Sequence, residues 1–296
     1  MATKLRSTLR LMKYMEEREN IRLRKEAGQP WPWTKDKILG KYKFTNVKRS
    51  NDRTTKAFVA LYRHYMPPTF FSQTVDREQL LYNCAVARYF GTVDMAAEAL
   101  WLPRHDAKAL RAAVKRVRAK GGKVFTGAYI VTSGGQAGPK SEYVIDLLKG
   151  LSAAVACVMN ALAQTGRWEM AYAALRKVPG FGGSGFMAKE VLQDVLLMWP
   201  NEVVDAALWT PMGPGARRGM NRLKGRKPGF RQPEAKFIHE VQEIHGQLAR
   251  WWDTMFGTLG DGLTAHDVQF CLCEFDKYER TRLGQGRPRA QYKPQQ

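Results

Sequence analysis

At 296 residues and 44% hydrophobic content, the chain can bury one large core or two smaller ones. Lys and Arg number 48 against 27 Asp and Glu, a formal net charge of +21. Self-repulsion on that scale implies a polyanionic partner, nucleic acid before a membrane surface, and argues against a small acidic metabolite as the main target. Membrane insertion is excluded at this level: the longest nearly apolar run, 151–163, is too short to span a bilayer.

The opening MATKLRSTLR has no apolar stretch of the secretory type. Cys84, Cys157, Cys271 and Cys273 form neither a disulfide framework nor a zinc-ligand spacing. The expectation is reduced thiols, no structural metal and a cytoplasmic location.

In chain order, helical periodicity predicts helices near 3–27, 54–66, 76–90, 93–101, 105–120, 142–163, 166–177, 184–199, 235–256 and 264–282. Alternation of period two is confined to 124–132, the one predicted strand. The reading is therefore all-α, one helical domain over 1–296. Long connections fall at 28–53, 121–141 and 209–233, and structureless loops of that length are usually functional or disordered. The first carries Trp31, Trp33, Tyr42 and Phe44, too aromatic for disorder. The second is Gly-rich, with Lys123 and Lys140. The third holds Arg217, Arg218, Arg222, Lys224, Arg226, Lys227 and Arg231 without an acid. Basic faces on two helices, Arg18, Arg22 and Lys25 on the first and Lys108, Arg111, Lys115 and Arg118 on 105–120, extend the expected phosphate-contacting surface.

Val178, Pro179, Gly180, Phe181 and Gly182 sit between two predicted helices, as in a helix–hairpin–helix DNA-binding unit. Glycine there lets backbone N–H groups approach a phosphate, and the second helix offers its positive N-terminus. The alternative is a plain helix connector. Base-excision glycosylases use such units, but bifunctional members place a lysine just after the hairpin, where Gly183 and Ser184 stand. Lys189 comes about two turns later, and Asp205 lies near the usual position of an essential aspartate. The run from Gly134 to Ser141 approaches a P-loop, yet Pro139 replaces the glycine before Lys140 and cannot donate an N–H. Near the C-terminus, Thr264 and Asp267 occupy capping-box positions. At ~100° per residue, Glu274 and Asp276 fall on opposite flanks of the buried stripe, so they are not a close carboxylate pair.

Several blocks together resemble a known family: Pro32-Trp33-Thr34 with Asp36, Ile38 and Leu39; Phe44-Thr45-Asn46-Val47 with Arg49, Asp52, Arg53 and Thr55; Pro179-Gly180 with Gly182; Gly213 through Gly219; Cys273-Glu274-Phe275-Asp276-Lys277-Tyr278; and Gly286-Arg287-Pro288-Arg289. The ordered set is similar to the phage amino acid:DNA transferases, also called alpha-glutamyl/putrescinyl thymine pyrophosphorylases. It is similar as well to the helical domain attached to 5-hydroxymethyl-deoxyuridine DNA kinases. The resemblance spans nearly the whole chain. It departs at Lys35 and Lys37, where the family carries acidic or proline residues, and in having no working P-loop, which favours the transferases over the kinases.

The resemblance implies a helix–hairpin–helix, glycosylase-like fold with long functional loops. The implied activity is replacement of pyrophosphate on 5-pyrophosphoryloxymethyluracil in double-stranded DNA by an amino acid, such as glycine, or a polyamine. No cofactor is expected, Mg²⁺ assistance is left open, and association with a DNA-base kinase is an expected partnership. Under this reading Asp36, Asn46, Arg49, Asp52, Glu274 and Asp276 are the expected catalytic set. Trp33, Phe44, Arg53, Arg217 and Arg218 would bind substrate, and Lys123, Lys140, Gly180, Gly182 and Lys189 would meet the DNA. A DNA glycosylase or flipped-base reader of the same fold, and a non-catalytic DNA-binding subunit, stand as alternatives.

Overall fold

The computed structural model describes residues 2–66, 74–127, 131, 137–199, 203–257 and 262–293. Among them the secondary structure is helical, with thirteen α-helices, one 3₁₀ turn and a single isolated β-bridge between Tyr42 and Gln291. The described part of the expected strand, 124–127 and 131, is not extended in a ladder, and the rest of 124–132 lies outside the described residues. No single described helix is long and apolar enough to cross a membrane; only a pair bent by 49°, Lys140–Ser152 with Val155–Thr165, passes that test together.

Where the sequence suggested one domain, the chain clusters into two compact units. The first joins 1–52 to 206–296; the second is 53–205.

The first unit is built from α1 (Ala2–Glu26), α2 (Lys37–Lys41), α11 (Pro214–Leu223), α12 (Glu234–Phe256) and α13 (Ala265–Arg282). The second holds α3 (Arg53–Tyr65), α4 (Thr74–Phe90), α5 (Val93–Ala99), α6 (Ala107–Ala119), α7 (Lys140–Ser152), α8 (Val155–Thr165), α9 (Trp168–Leu175) and α10 (Phe186–Met198). Two expected loops are thus partly helical. The stretch 28–53 contains α2 and the 3₁₀ turn Arg49–Asn51, and 209–233 contains α11. The helix expected over 142–163 is broken at Ala153 and Ala154 into α7 and α8.

In the first unit the core lines α1, α12 and α13, with Leu11, Met15, Phe237, Val241, Leu248, Val268 and Leu272 sealed from solvent. α13 starts with the anticipated capping box, Thr264 accepting from the Asp267 N–H and Asp267 from the Thr264 N–H. α11 crosses α13 so closely that a Cβ on Gly219 would collide with the Leu272 carbonyl, and one on Gly215 with the Cys273 thiol. Glycine here is a packing requirement, which is why a Gly/Pro-rich segment that reads as a loop forms a helix.

The second unit is organised round α4, whose residues 80–90 are all buried. A helix buried on every side must pair its polar groups. Asn83 does so by donating to the Gln79 and Leu102 carbonyls and accepting from the Leu102 N–H. Arg88 grips Asp194 of α10 through Nε (2.8 Å) and a second N–H, and also donates to the Thr55 hydroxyl. The Tyr62 hydroxyl donates to the same carboxylate at 3.0 Å. Asp205 serves α9, accepting from the Trp168 and Glu169 N–H groups at 2.6 and 3.1 Å.

Breaking the buried pair by Arg88→Met strands the Asp194 charge and should cost about 3–5 kcal/mol. Arg88→Met with Asp194→Leu should cost clearly less, because both charges go together. Urea denaturation of the two variants checks the ordering.

Candidate functional site

The residues expected to act fall into distinct groups, three of them in the first unit. The segment 44–52 is pinned to α1 and α13. Arg18, buried, donates to the Phe44 and Thr45 carbonyls and to the Asn46 side-chain oxygen. Asn46 in turn donates to the Asn51 carbonyl, and its N–H to Asp52 (3.1 Å). Arg49 pairs with Asp52, its N–H donates to Asp267, and its guanidinium lies 5.1 Å from the Phe270 ring centre. Glu274 accepts the Thr45 N–H at 3.1 Å and pairs with Lys277. Asn46, Arg49, Asp52 and Glu274 are therefore brought together, but largely in service of this turn.

Two expectations need correcting here. Phe44 is no exposed stacking face: it is 6% exposed, in edge and tilted contact with Tyr14 and Tyr278. Arg18 and Arg22 do not offer a phosphate-facing surface either, since Arg18 is spent on the 44–46 backbone and Arg22 on Glu19 and Glu26. Trp33 is half-buried, meeting Tyr292 edge-on under the Lys25 ammonium.

The second group centres on Asp276, 1% exposed. Its two oxygens accept from Arg218 and Arg222 at 2.8 Å each, and Arg280 stands at 3.6 Å. Three guanidiniums share one carboxylate, so the cluster keeps a net positive charge. Arg222 is nearly buried, whereas Arg218 and Arg280 stay about two-fifths exposed. Such a carboxylate anchors the guanidiniums that share it by charge-assisted hydrogen bonds. Glu274 and Asp276 indeed have separate partners. Arg217, next in α11, is half-buried.

The third group lines a cavity of about 320 Å³ between α1, α2 and α13. Asp36 borders it, accepting from the Ile38 and Leu39 N–H groups as the N-cap of α2 and from the Tyr278 hydroxyl at 2.7 Å. Burial, and then the Asp36 carboxylate, push the Tyr278 phenol well above its ordinary pKa, so it remains a donor at neutral pH. Glu279 pairs with both Arg10 and Arg282. Burial alone would raise Glu279, but hydrogen bonds from the two arginines hold it below the usual carboxylate range.

A family profile described as the helical domain of 5-hmdU DNA kinase matches residues 6–287. The chain belongs to that family. A 5-hmdU DNA kinase of Bacillus phage SP10 is 28% identical over 228 residues, covering 69% of this chain and 34% of that protein. The chain thus spans about a third of that relative's length. No solved structure matches.

The matched span includes every group above, and in the second unit the residues expected to meet DNA. Gly180 and Gly182 lie in the turn between α9 and α10. Gly180 has a φ of +89°, its carbonyl accepts from the Tyr89 hydroxyl, and an added Cβ would strike Leu147. Lys123 is exposed, and Lys140 opens α7 with its ammonium 4.3 Å from the Phe125 ring centre. Partial burial lowers the Lys140 pKa. Arg53 is exposed at the start of α3. Lys189 is a correction: it is 5% exposed and lies 3.4 Å from Glu190, so it packs inward and cannot serve as a phosphate contact.

Sequence reasoning passed over Arg10, Lys13, Glu279 and Arg282. Their signal was present as matching i, i+3 and i+4 spacings on the first and last helices.

Because the Glu279 carboxyl is held low in the folded state, its pairs stabilise fully above the unfolded value, about 4.3, and that contribution is lost as pH falls through the folded value. Glu279→Gln should remove this part of the acid slope while leaving stability above pH 6 less pH-dependent than its loss at acid pH. Urea midpoints from pH 3 to 7 for both proteins report it.

Proposed function

We propose that this protein is an enzyme of phage thymine hypermodification. It replaces the pyrophosphate of 5-pyrophosphoryloxymethyluracil in double-stranded DNA with an amino acid or polyamine. The observation that carries the reading is the Asp276 cluster, three arginines held by one buried carboxylate with two of them open to solvent. Pyrophosphate departs with growing negative charge, and guanidiniums already fixed in place stabilise it without reorganising. Family membership and the phage relative support the pathway.

In the reaction, the amine nitrogen donates its lone pair to the exocyclic carbon. The carbon–oxygen bond to pyrophosphate breaks, and its electron pair leaves with the pyrophosphate. The amine must shed a proton, and Asp36 is the expected carboxylate that borders a cavity. Asn46 and Arg49 act in this reading by fixing the segment 44–52. The reacting base is turned out of the duplex to reach the protein, as for other enzymes that work on a base. The α9–turn–α10 hairpin, glycosylase-like in this reading, would take a backbone phosphate near Gly180 and Gly182, with Lys123 and Lys140 adding charge.

A second reading, a flipped-base reader or non-catalytic DNA-binding subunit, is favoured by one observation: Asp52 and Glu274 are both consumed by internal partners.

Nucleoside mass spectrometry tests both. The protein is incubated with DNA carrying 5-pyrophosphoryloxymethyluracil and glycine, glutamate, putrescine or no amine, with and without EDTA. A mass gain with one amine supports the transferase, and Arg218→Ala should then slow turnover by about a hundredfold. DNA binding with no adduct supports the reader, and base loss the glycosylase.

A further inference from the structure

The α1–α2–α13 cavity has a charge pattern that selects among amines. Its lining brings Arg10, Lys13 and Arg282 together with Glu17, Asp36 and Glu279, over apolar walls that include Leu39 and Phe275. These charges are unequally committed. Glu279 is occupied by Arg10 and Arg282, and Glu17 meets Arg24 at 3.1 Å. Lys13 is exposed and forms no ion pair among the described residues. Asp36 spends one oxygen on the α2 cap, while its other oxygen holds only the Tyr278 hydroxyl and keeps acceptor capacity. Asp36 at the start of α2 therefore offers a carboxylate acceptor, and Lys13 on α1 offers an uncommitted cation. At about 320 Å³ its volume is at the small end of ligand pockets, enough for a compact metabolite.

We infer that this cavity is the binding site of a free α-amino acid, its ammonium at Asp36 and its carboxylate toward Lys13 with Arg10 and Arg282. Resting on the transfer reaction proposed above, the assignment makes the amine donor an amino acid and excludes a polyamine. A polyamine such as putrescine has a cation at each end. With one cation at Asp36, the other finds no free carboxylate, since Glu279 is already paired with Arg10 and Arg282 and Glu17 with Arg24, and Lys13 can only repel it. An amino acid satisfies both sides at once. Its nitrogen then lies beside Asp36, which can take the proton that the amine sheds.

Calorimetric titration of the full chain, without DNA, uses glycine, glutamate and putrescine as separate probes. Glycine or glutamate should bind at least tenfold more tightly than putrescine. Lys13→Glu reverses a surface charge and should weaken the amino acid by about tenfold or more, narrowing or inverting its advantage over putrescine. Asp36→Asn retains an N-cap side chain while losing the charge, so it should weaken binding with the thermal midpoint little changed. Equal or tighter putrescine binding, or amino-acid binding indifferent to both variants, overturns the assignment, as does no binding of either amino acid. Turnover on pyrophosphorylated DNA is measured in parallel. Transfer that persists in Lys13→Glu at unchanged KM for the amine sinks the cavity and leaves the transferase standing; amino-acid binding that follows the predicted pattern without any transfer sinks the transferase and leaves the cavity.

Discussion

A chain with 48 basic and 27 acidic residues must fold against its own repulsion. The structure meets that constraint by making single carboxylates serve several cations. Asp276 holds Arg218 and Arg222 and stands near Arg280; Glu279 holds Arg10 and Arg282; Glu98 holds Arg116 and Lys120. In the first unit Glu240 binds Arg226 through both oxygens, and burial would raise its pKa had the arginine not lowered it. The groups at Asp276, Glu279 and Glu98 leave excess positive charge in a fixed orientation, whereas the Glu240 pair is balanced. Charge that would otherwise only repel becomes a set of positioned donors for an anion, which separates this surface from a uniformly basic one.

The same economy explains where the helices were legible in the sequence and where they were not. Amphipathic segments with caps, such as α6 behind Asp106 and α13 behind Thr264, show their period and their start directly. α11 did not, because Gly213, Pro214, Gly215 and Gly219 read as loop residues when the helix they form needs their smallness to approach α13. α2, five residues long, is shorter than any periodicity window and announces itself only through the Asp36 cap. α10 shows its period, but not the interior place of Lys189: 188–195 is wholly buried, and Lys189, Glu190 and Asp194 belong to an interior ion network with Arg88. A lysine in a basic chain is easily assigned to a phosphate. Its burial beside Glu190 shows it to be structural.

Among site residues the pattern is similar. The block Cys273 to Tyr278 lies on α13, where Glu274, Asp276, Lys277 and Tyr278 all engage other elements of the first unit. What no local spacing could give was the partner of each. Phe44 looks like a stacking face in an aromatic loop, but Tyr14 and Tyr278 enclose it. Arg10 and Lys13 are unremarkable basic residues until α13 places Glu279 and Tyr278 opposite them.

α13 ties these observations together. At ~100° per residue, Asp276 and Arg280 share one flank, toward α11, while Phe275, Tyr278, Glu279 and Arg282 turn toward α1 and the cavity. One rigid helix therefore fixes the azimuth of both the arginine cluster and the cavity wall, and a rotation of that helix would move the two in concert. Close packing restrains such a rotation: Gly219 against the Leu272 backbone and Gly215 against Cys273 bring α11 to α13 at a separation where an added Cβ would collide. Under the reaction proposed above, an anion acceptor and an amine donor held in register call for that kind of constraint, which a contact between helices made only through long side chains supplies less well.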